Sequence, residues 1–523
     1  MTTDSSSKGA LSADDAKNVG RGALYLTFTK FWFIITGFAI QFALPSIFSS
    51  DAAIGAKLYG QYTVVTGLSA VVNAMVVQGV TQAIARFSGR NPAEADGVRR
   101  AGYKLQTLLG GGLFALFFFG APVIAERYYG NAEFTTSLRC AAFITLFYSF
   151  YAIFMGYLNG TKRFGRQALV DFSYSTLKVL CILGGAYMLE KKYGAVESAV
   201  GGFALASLLV LVLGYAVSGR AKGKGSIGVG ELFSFQAVTM VSASLSTWLL
   251  RGDQQLLQSM LKDRPDVEIL SGWYGAAMLM ATIPYQAVFA ITFVLFPLVS
   301  GTAVEDKKTM SNYIVQTTRY AAMIAMMIVA VFVAAPDRAL TLVFKAEYAA
   351  AAPTLRILSI GYFFFSIYYV MLAIFTASGK PLLNLTLTAI TVVVQATVAA
   401  ILLRSTSLGM EGAAFGTLAG MVVGLTVAHF IMRGRWNQGL AFGRLAPVVL
   451  SGVVACALAN ALFAKETFWG TNGLFPALDT RLWTKLQTVL GFGAVTILYI
   501  VFLNLSGAMT ADDRAKFKRV FKR

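Results

Sequence analysis

Charge is what this chain has least of. Asp, Glu, Lys and Arg make up 13% of its 523 residues and hydrophobic types 56%. A water-soluble domain carries nearer a quarter charged residues, because its surface must be wetted. A soluble globular protein is excluded on that ground. Histidine occurs once, at His429, and cysteine three times, at Cys140, Cys181 and Cys456. The cysteines sit in separate apolar runs and His429 has no acid near it in sequence, so neither a disulfide framework nor a metal-ligand spacing can be read. No metal and no cofactor are expected. HExxH, a phosphate-cradling glycine loop and paired catalytic carboxylates are missing as well. The longest outer connections, near 256–272 and 465–484, are too short for the carboxylate- or arginine-bearing loops with which membrane polymerases and ligases hold their substrates. An enzyme is not expected.

What the chain has in abundance is apolar runs, each long enough to cross a bilayer, which takes roughly 20 residues. Lipid satisfies no backbone hydrogen bonds, so such runs must be helices or barrel strands. Barrel strands would be about ten residues long and alternate strictly, which these do not. The reading is an all-α integral membrane protein of about 14 transmembrane helices. Spans fall near 23–47, 61–84, 104–122, 139–158, 168–188 and 197–218, then near 233–255, 273–300, 314–335, 354–377, 383–403 and 412–432, and last near 445–464 and 485–506.

Charge orients them. With both termini in the cytosol, the inner loops hold Arg86, Arg90, Arg99, Arg100, Lys162, Arg163, Arg166, Arg220, Lys222, Lys224, Lys307, Lys308, Arg433 and Arg435, and the basic tail after 506 joins them. That is the bias that fixes topology. The net charge of +19 is then a topology signal, and with no basic–aromatic module no nucleic-acid partner is expected. The polar, acid-bearing start, residues 1–22, reads as a cytosolic tail rather than a signal peptide.

The second six helices echo the first. Tyr59-Gly60 matches Tyr274-Gly275 at an offset of 215, Ala121-Pro122 matches Ala335-Pro336 at 214, and Gly194-Ala195 matches Gly412-Ala413 at 218. Ala132-Glu133-Phe134 matches Ala346-Glu347-Tyr348 in the same order. Six helices return a chain to the side it left, so the copies should run parallel around a central cavity, the plan of an alternating-access transporter. The organisation expected is a tail 1–22, an N-lobe 23–218, a cytosolic linker 219–232, a C-lobe 233–432, two further helices within 445–506 and a basic tail 507–523. Gly412, Gly416, Gly420 and Gly424 recur every fourth residue, a helix-packing stripe.

LYGQYTVVTGLSAVVNAMVVQGVTQAIARF (58–87), WYGAAMLMATIPYQAVFAITFVLFPLVS (273–300), FKAEYAAAAPTLRIL (344–358) and TASGKPLLN (376–384) make the chain similar to the multidrug/oligosaccharidyl-lipid/polysaccharide (MOP) exporter superfamily. Within it the chain resembles the polysaccharide-transporter (Wzx-type flippase) branch. The resemblance implies a flippase of the bacterial cytoplasmic (inner) membrane that moves undecaprenyl-pyrophosphate-linked oligosaccharide units for surface polysaccharide synthesis. Its partners would be that lipid-linked substrate, the membrane and other polysaccharide-assembly proteins. A peptidoglycan-precursor flippase or a multidrug/cation antiporter is the alternative that the resemblance leaves open.

Ionisable residues inside a span are costly and usually face a cavity. In helix one Thr27, Lys30, Gly37 and Gln41 share a face, with Lys30 either facing the cavity or snorkelling to headgroups. In helix five Asp171, Ser175 and Lys178 share a face, the two charges about 10 Å apart and so not bridging each other. In helix seven Thr239, Ser242, Ser246 and Asp253 line up, with Arg251 on the other side; either charge could instead mark the outer helix end. Helix two adds Thr66, Ser69 and Asn73, and helix eight adds Thr282, Tyr285 and Gln286 beside Pro284, which permits a bend. Lys30, Lys178 and Arg251 are the candidate anion-binding cations, with Gln41, Asn73, Tyr285 and Gln286 as polar lining. Asp171 and Asp253 are the candidates for coupling to an ion gradient. A pyrophosphate needs cavity cations and a drug-cation antiporter needs acids, so the balance favours the flippase.

Overall fold

The computed structural model describes residues 13–221, 223, 227–289, 307–378, 380–436, 439–463, 481–510 and 513. Among them every regular element is helical. The first group is α1 (Ala13–Phe48), α2 (Ala52–Arg90), α3 (Ala95–Val123), α4 (Phe134–Gly160), α5 (Phe164–Tyr193) and α6 (Ala195–Ser218). The second is α7 (Val229–Met260), α8 (Val267–Ala281), α9 (Lys307–Ala334), α10 (Pro336–Val343), α11 (Ala352–Ala377), α12 (Pro381–Ser405) and α13 (Met410–Trp436), followed by α14 (Phe442–Phe463) and α15 (Arg481–Leu505). Thirteen helices among the described residues are long and apolar enough to cross a membrane. The expected eighth span, near 273–300, runs beyond residue 289 and out of the described residues, as do the side chain of Thr27, the 465–484 connection and most of both tails.

Helix ends follow local chemistry. Asp51 caps α2 by accepting from the Ile54 N–H at 2.9 Å, meeting one of the orphan donors of a helix start. Gly194 at φ +88° turns the chain between α5 and α6, a backbone region that glycine enters without steric cost. The Ala–Pro match of the repeat resolves differently in its two copies. Pro122 lies inside α3, which runs on into a π-helical turn at Ile124–Tyr128, whereas Ala335 breaks the helix and Pro336 starts α10. Helix α8 pauses at Thr282, and helical backbone resumes over 283–289, across Pro284.

The chain divides into two compact units, Met1–Thr247 and Trp248–Arg523. The division falls inside α7, and α14 and α15 belong with the second unit, packed on α9 and on each other. Within the first unit α3 packs on α4, α4 on α6, α5 on α6 and α2 on α4; within the second α9 packs on α11, α11 on α13, α12 on α13 and α8 on α11. These are the same pairings in repeat order. The last two helices of each group, α5 with α6 and α12 with α13, approach closely through glycine. A methyl group at Gly202 would collide with the Cys181 carbonyl, and one at Gly416 with Ala399. The stripe at 412–424 is therefore a packing surface, as small residues in membrane helices usually are.

Candidate functional site

In the first unit the predicted charges gather along the seam of α1 and α5. The Lys30 ammonium lies 3.6 Å from the Asp171 carboxylate, with the lysine side chain 59% exposed and the aspartate 15%. Tyr151 of α4 donates to the other Asp171 oxygen at 3.3 Å. The hydroxyls of Tyr148 and Tyr174 are hydrogen-bonded to each other. The Lys178 ammonium stands 4.5 Å from the centre of the Phe203 ring and 5.7 Å from that of Phe33, so ring faces meet part of its charge. Trp32 stacks on Phe172 at 5.4 Å and donates its indole N–H to Thr176. Phe33, the ring 5.7 Å from the Lys178 ammonium, is three residues beyond Lys30 on α1. Asp171 and Lys178 do not bridge each other; Lys30 is the cation beside Asp171.

The second unit holds a different arrangement. Asp253 of α7 is fully buried, and its carboxylate accepts from the Tyr274 hydroxyl of α8 at 2.6 Å, the Thr417 hydroxyl of α13 at 2.8 Å and the Gln254 N–H at 2.8 Å. Gln395 of α12 donates to Thr417 at 3.1 Å and to the Leu249 carbonyl at 3.3 Å. Gln254 and Gln258, both fully buried, tie α7 to Ser271 of α8 through bonds of 2.9 and 2.6 Å. Neutral donors meet this carboxylate from three helices. Arg251, two residues earlier on α7, is half-buried.

The other predicted lining residues are placed as follows. Gln41 accepts from the Tyr59 hydroxyl of α2 at 2.9 Å. Asn73 is buried between α2 and α4, donating to Ser69 and accepting from Thr145 at 2.9 and 2.8 Å. Tyr285 packs against Phe365 and Tyr369 of α11, and Gln286 donates to Thr282 at 3.2 Å. Thr66, Thr239, Ser175 and Ser246 bond back to the carbonyls of their own helices, so a stripe of hydroxyls on these spans is satisfied locally. Sequence reasoning passed over Tyr148, Tyr151, Tyr174 and Trp32 in the first unit and Tyr274, Thr417, Gln254 and Gln395 in the second. Tyr274 carried a signal, as the repeat mate of Tyr59. The others look like ordinary apolar-span residues until the helices are paired.

A family model described as polysaccharide biosynthesis protein matches residues 51–303. A structure of the lipid II flippase MurJ in an inward closed conformation superposes with a TM-score of 0.69 at 13% identity, covering 92% of this chain and 98% of that one. The inward-facing structure of a multidrug resistance MATE transporter of the MOP superfamily gives 0.59 at 18% identity, covering 76% and 98%. The chain has the fold of the MOP-superfamily exporters. A MOP-superfamily transporter from Pyrococcus furiosus, described as having a binding pocket of reversed polarity, gives 0.54 at 17% identity over 80% of this chain and 96% of that one. Comparison with curated proteins finds no match. With this fold and its apolar helices the chain is a multi-pass membrane protein.

Proposed function

We propose that this protein is a flippase that carries undecaprenyl-pyrophosphate-linked oligosaccharide across the cytoplasmic membrane by alternating access, for surface polysaccharide synthesis. The observation that carries this reading is the pair of lysines on the α1–α5 seam. A lipid pyrophosphate leaving the headgroup layer faces a prohibitive transfer cost unless its charge is met. Lys30 can meet it, because its side chain is largely exposed and its partner Asp171 holds it across 3.6 Å, beyond ordinary hydrogen-bond length. An entering pyrophosphate competes with that carboxylate, and on release Asp171 takes the lysine back. Lysine suits such exchange as a mobile point charge. Lys178, near the rings of Phe33 and Phe203, supplies a second cation on the same seam. The polysaccharide-biosynthesis match and the flippase fold both support this reading. Asp171 and Asp253 are our candidates for ion coupling.

The test is surface polysaccharide and membrane protein abundance measured in the same strains. Lys30→Gln with Lys178→Gln should cut export about tenfold or more, the loss expected from ~1.4 kcal/mol of anion binding, with abundance near normal. Arginine at either position should restore part of it. Normal export from the well-expressed double glutamine variant would rule the electrostatic account out. A peptidoglycan-precursor flippase is the second reading, favoured by the extent of the MurJ superposition. Rescue of a strain depleted of its lipid II flippase, with no rescue of polysaccharide-flippase mutants, would select it.

A further inference from the structure

An exposed aromatic ring stands beside the two lysines. Phe33 follows Lys30 by three residues on α1, and Gly37 and Gln41 continue the same face at spacings of four. The ring is 44% exposed. Tyr174 of α5 stacks on it at 6.2 Å with the planes 27° apart, and the Lys178 ammonium lies 5.7 Å from its centre. One turn further along α1, a methyl group added at Gly37 would meet nothing within 4 Å. The ring thus borders open space, with one cation a turn back on its own helix and another on α5.

That ring does not belong to the lipid-facing side of α1. Phe28, Phe31 and Ile35 are also exposed, and helical geometry sets them about 140–160° around the helix from Phe33. Phe33 lies instead on the side that carries Lys30 and meets Lys178, and charged side chains within a span face an interior or water-filled space. A polyisoprenoid tail keeps to hydrocarbon, so what reaches Phe33 is the polar end of the ligand. In a lipid-linked oligosaccharide the first sugar is bonded directly to the pyrophosphate. A pyrophosphate met by Lys30 and Lys178 therefore brings that sugar within reach of Phe33. A pyranose presents C–H groups on its apolar face, and an aromatic ring is electron-rich on its own face, so the two attract.

We propose that Phe33 is the sugar-recognising residue of this site. Its exposed ring stacks on the pyranose bonded to the pyrophosphate, and the space beside Gly37 accommodates that sugar. The proposal rests on the reading of Lys30 and Lys178 as the pyrophosphate cations, and adds a division of labour to it. The lysines hold the anion common to every lipid-linked glycan, while Phe33 distinguishes a sugar from other groups that a phosphate can carry. The stack on Tyr174 holds the ring in place beforehand, which lowers the ordering cost of binding.

Calorimetric titration of the full-length protein in detergent tests this. The probes are inorganic phosphate, glucose 1-phosphate, N-acetylglucosamine 1-phosphate and hexyl phosphate. At least one sugar phosphate should bind about fivefold more tightly than inorganic phosphate, the gain expected of one ring stack, and hexyl phosphate should show no such gain. Phe33→Leu should bring the ratio of sugar-phosphate to phosphate affinity down to about one, and Phe33→Tyr, which keeps the ring, should preserve it. Gly37→Leu fills the open space and should lower the same ratio; it serves where Phe33→Leu fails to fold. Equal binding of sugar phosphates and phosphate by the unaltered protein overturns the proposal. So does an equal gain for hexyl phosphate, or a ratio that neither substitution lowers. Lys30→Gln with Lys178→Gln separates these outcomes from failure of the cation reading. If that double variant binds every probe as tightly as the unaltered protein, the lysines are not the anion site and the proposal falls with them. If it loses phosphate binding but the unaltered protein shows no sugar preference, the cations stand and the assignment of Phe33 alone is wrong.

Discussion

Two tyrosines 215 residues apart, Tyr59 and Tyr274, make the same bond to different chemistry. Each stands on the second helix of its unit and donates its hydroxyl to the first, to the Gln41 amide in one case and the Asp253 carboxylate in the other. Around that shared feature the units diverge. The first has Asp171 and Lys178 on α5, where the second, at the offset of 218, has Ala389 and Ala396 on α12. Its Lys30 is exposed and its carboxylate is shared with a mobile cation. The second encloses Asp253 among neutral donors from three helices. A common frame thus holds accessible charge on one side of the repeat and enclosed charge on the other. Accessible charge can exchange a ligand; enclosed charge ties helices together.

Removing the two carboxylates should break this comparison most visibly. Asp253→Leu leaves three buried donors without an acceptor, at roughly 1 kcal/mol or more each, so thermal unfolding in detergent should show a loss of about 3 kcal/mol and a fall in abundance. Asp171→Leu removes one partner of a pair whose lysine is largely exposed, and such pairs contribute about 0–1 kcal/mol. Its abundance should stay near normal while export changes. Equal destabilisation by the two would show that the units do not differ as described.

The next effect is smaller and concerns Asp513, which follows the last span. Burial opposes ionisation of Asp513, but the bonds from Tyr320 and Thr510 and the charge of Arg319 outweigh it and hold the carboxyl at about 2, below the ordinary 3.8. A group depressed on folding contributes stability that is fully present above its unfolded value and lost as pH falls through the folded one. Stability should therefore be flat above about pH 4 and drop by roughly 2 kcal/mol between there and pH 2. Arg319→Gln should flatten that drop; an unchanged profile would show that Arg319 does not hold the Asp513 carboxyl down.

The span pattern and the repeat were legible because both are written in long apolar runs and in glycine, proline and tyrosine positions that constrain backbones. Lys30, Asp171 and Lys178 were legible as charges in apolar surroundings. Their company was not. Tyr148, Tyr151 and Tyr174 read as span residues, and only the packing of α4 on α6 and α1 on α5 brings α4, α5 and α6 rings to the charges. Asn73 shows the converse, since a polar stripe on α2 that reads as lining is a buried bond chain to Thr145. The pairing of Arg319 with Asp513 had no local signal, because the two lie 194 residues apart.

The finest test sets the two tyrosines against each other. Interhelical hydrogen bonds in membrane proteins average only about 0.6 kcal/mol and reach at most about 1.7, because the helices separated in lipid also find partners. Tyr59→Phe removes a bond to a neutral amide oxygen, 2.9 Å long, and belongs near the average. Tyr274→Phe removes a 2.6 Å bond to a carboxylate; charge-assisted bonds are shorter and about twice as strong, so it belongs near the maximum. Both substitutions delete a single oxygen from a fully buried ring, which leaves packing the same in each. Thermal unfolding of the two variants in one detergent should place Tyr274→Phe about 1 kcal/mol below Tyr59→Phe. If Asp253 is instead neutral in the folded protein, its acceptor strength falls to that of an amide and the two losses become equal. Repeating the pair in an Asp253→Asn background supplies the reference, since there both tyrosines face amides and the gap should close.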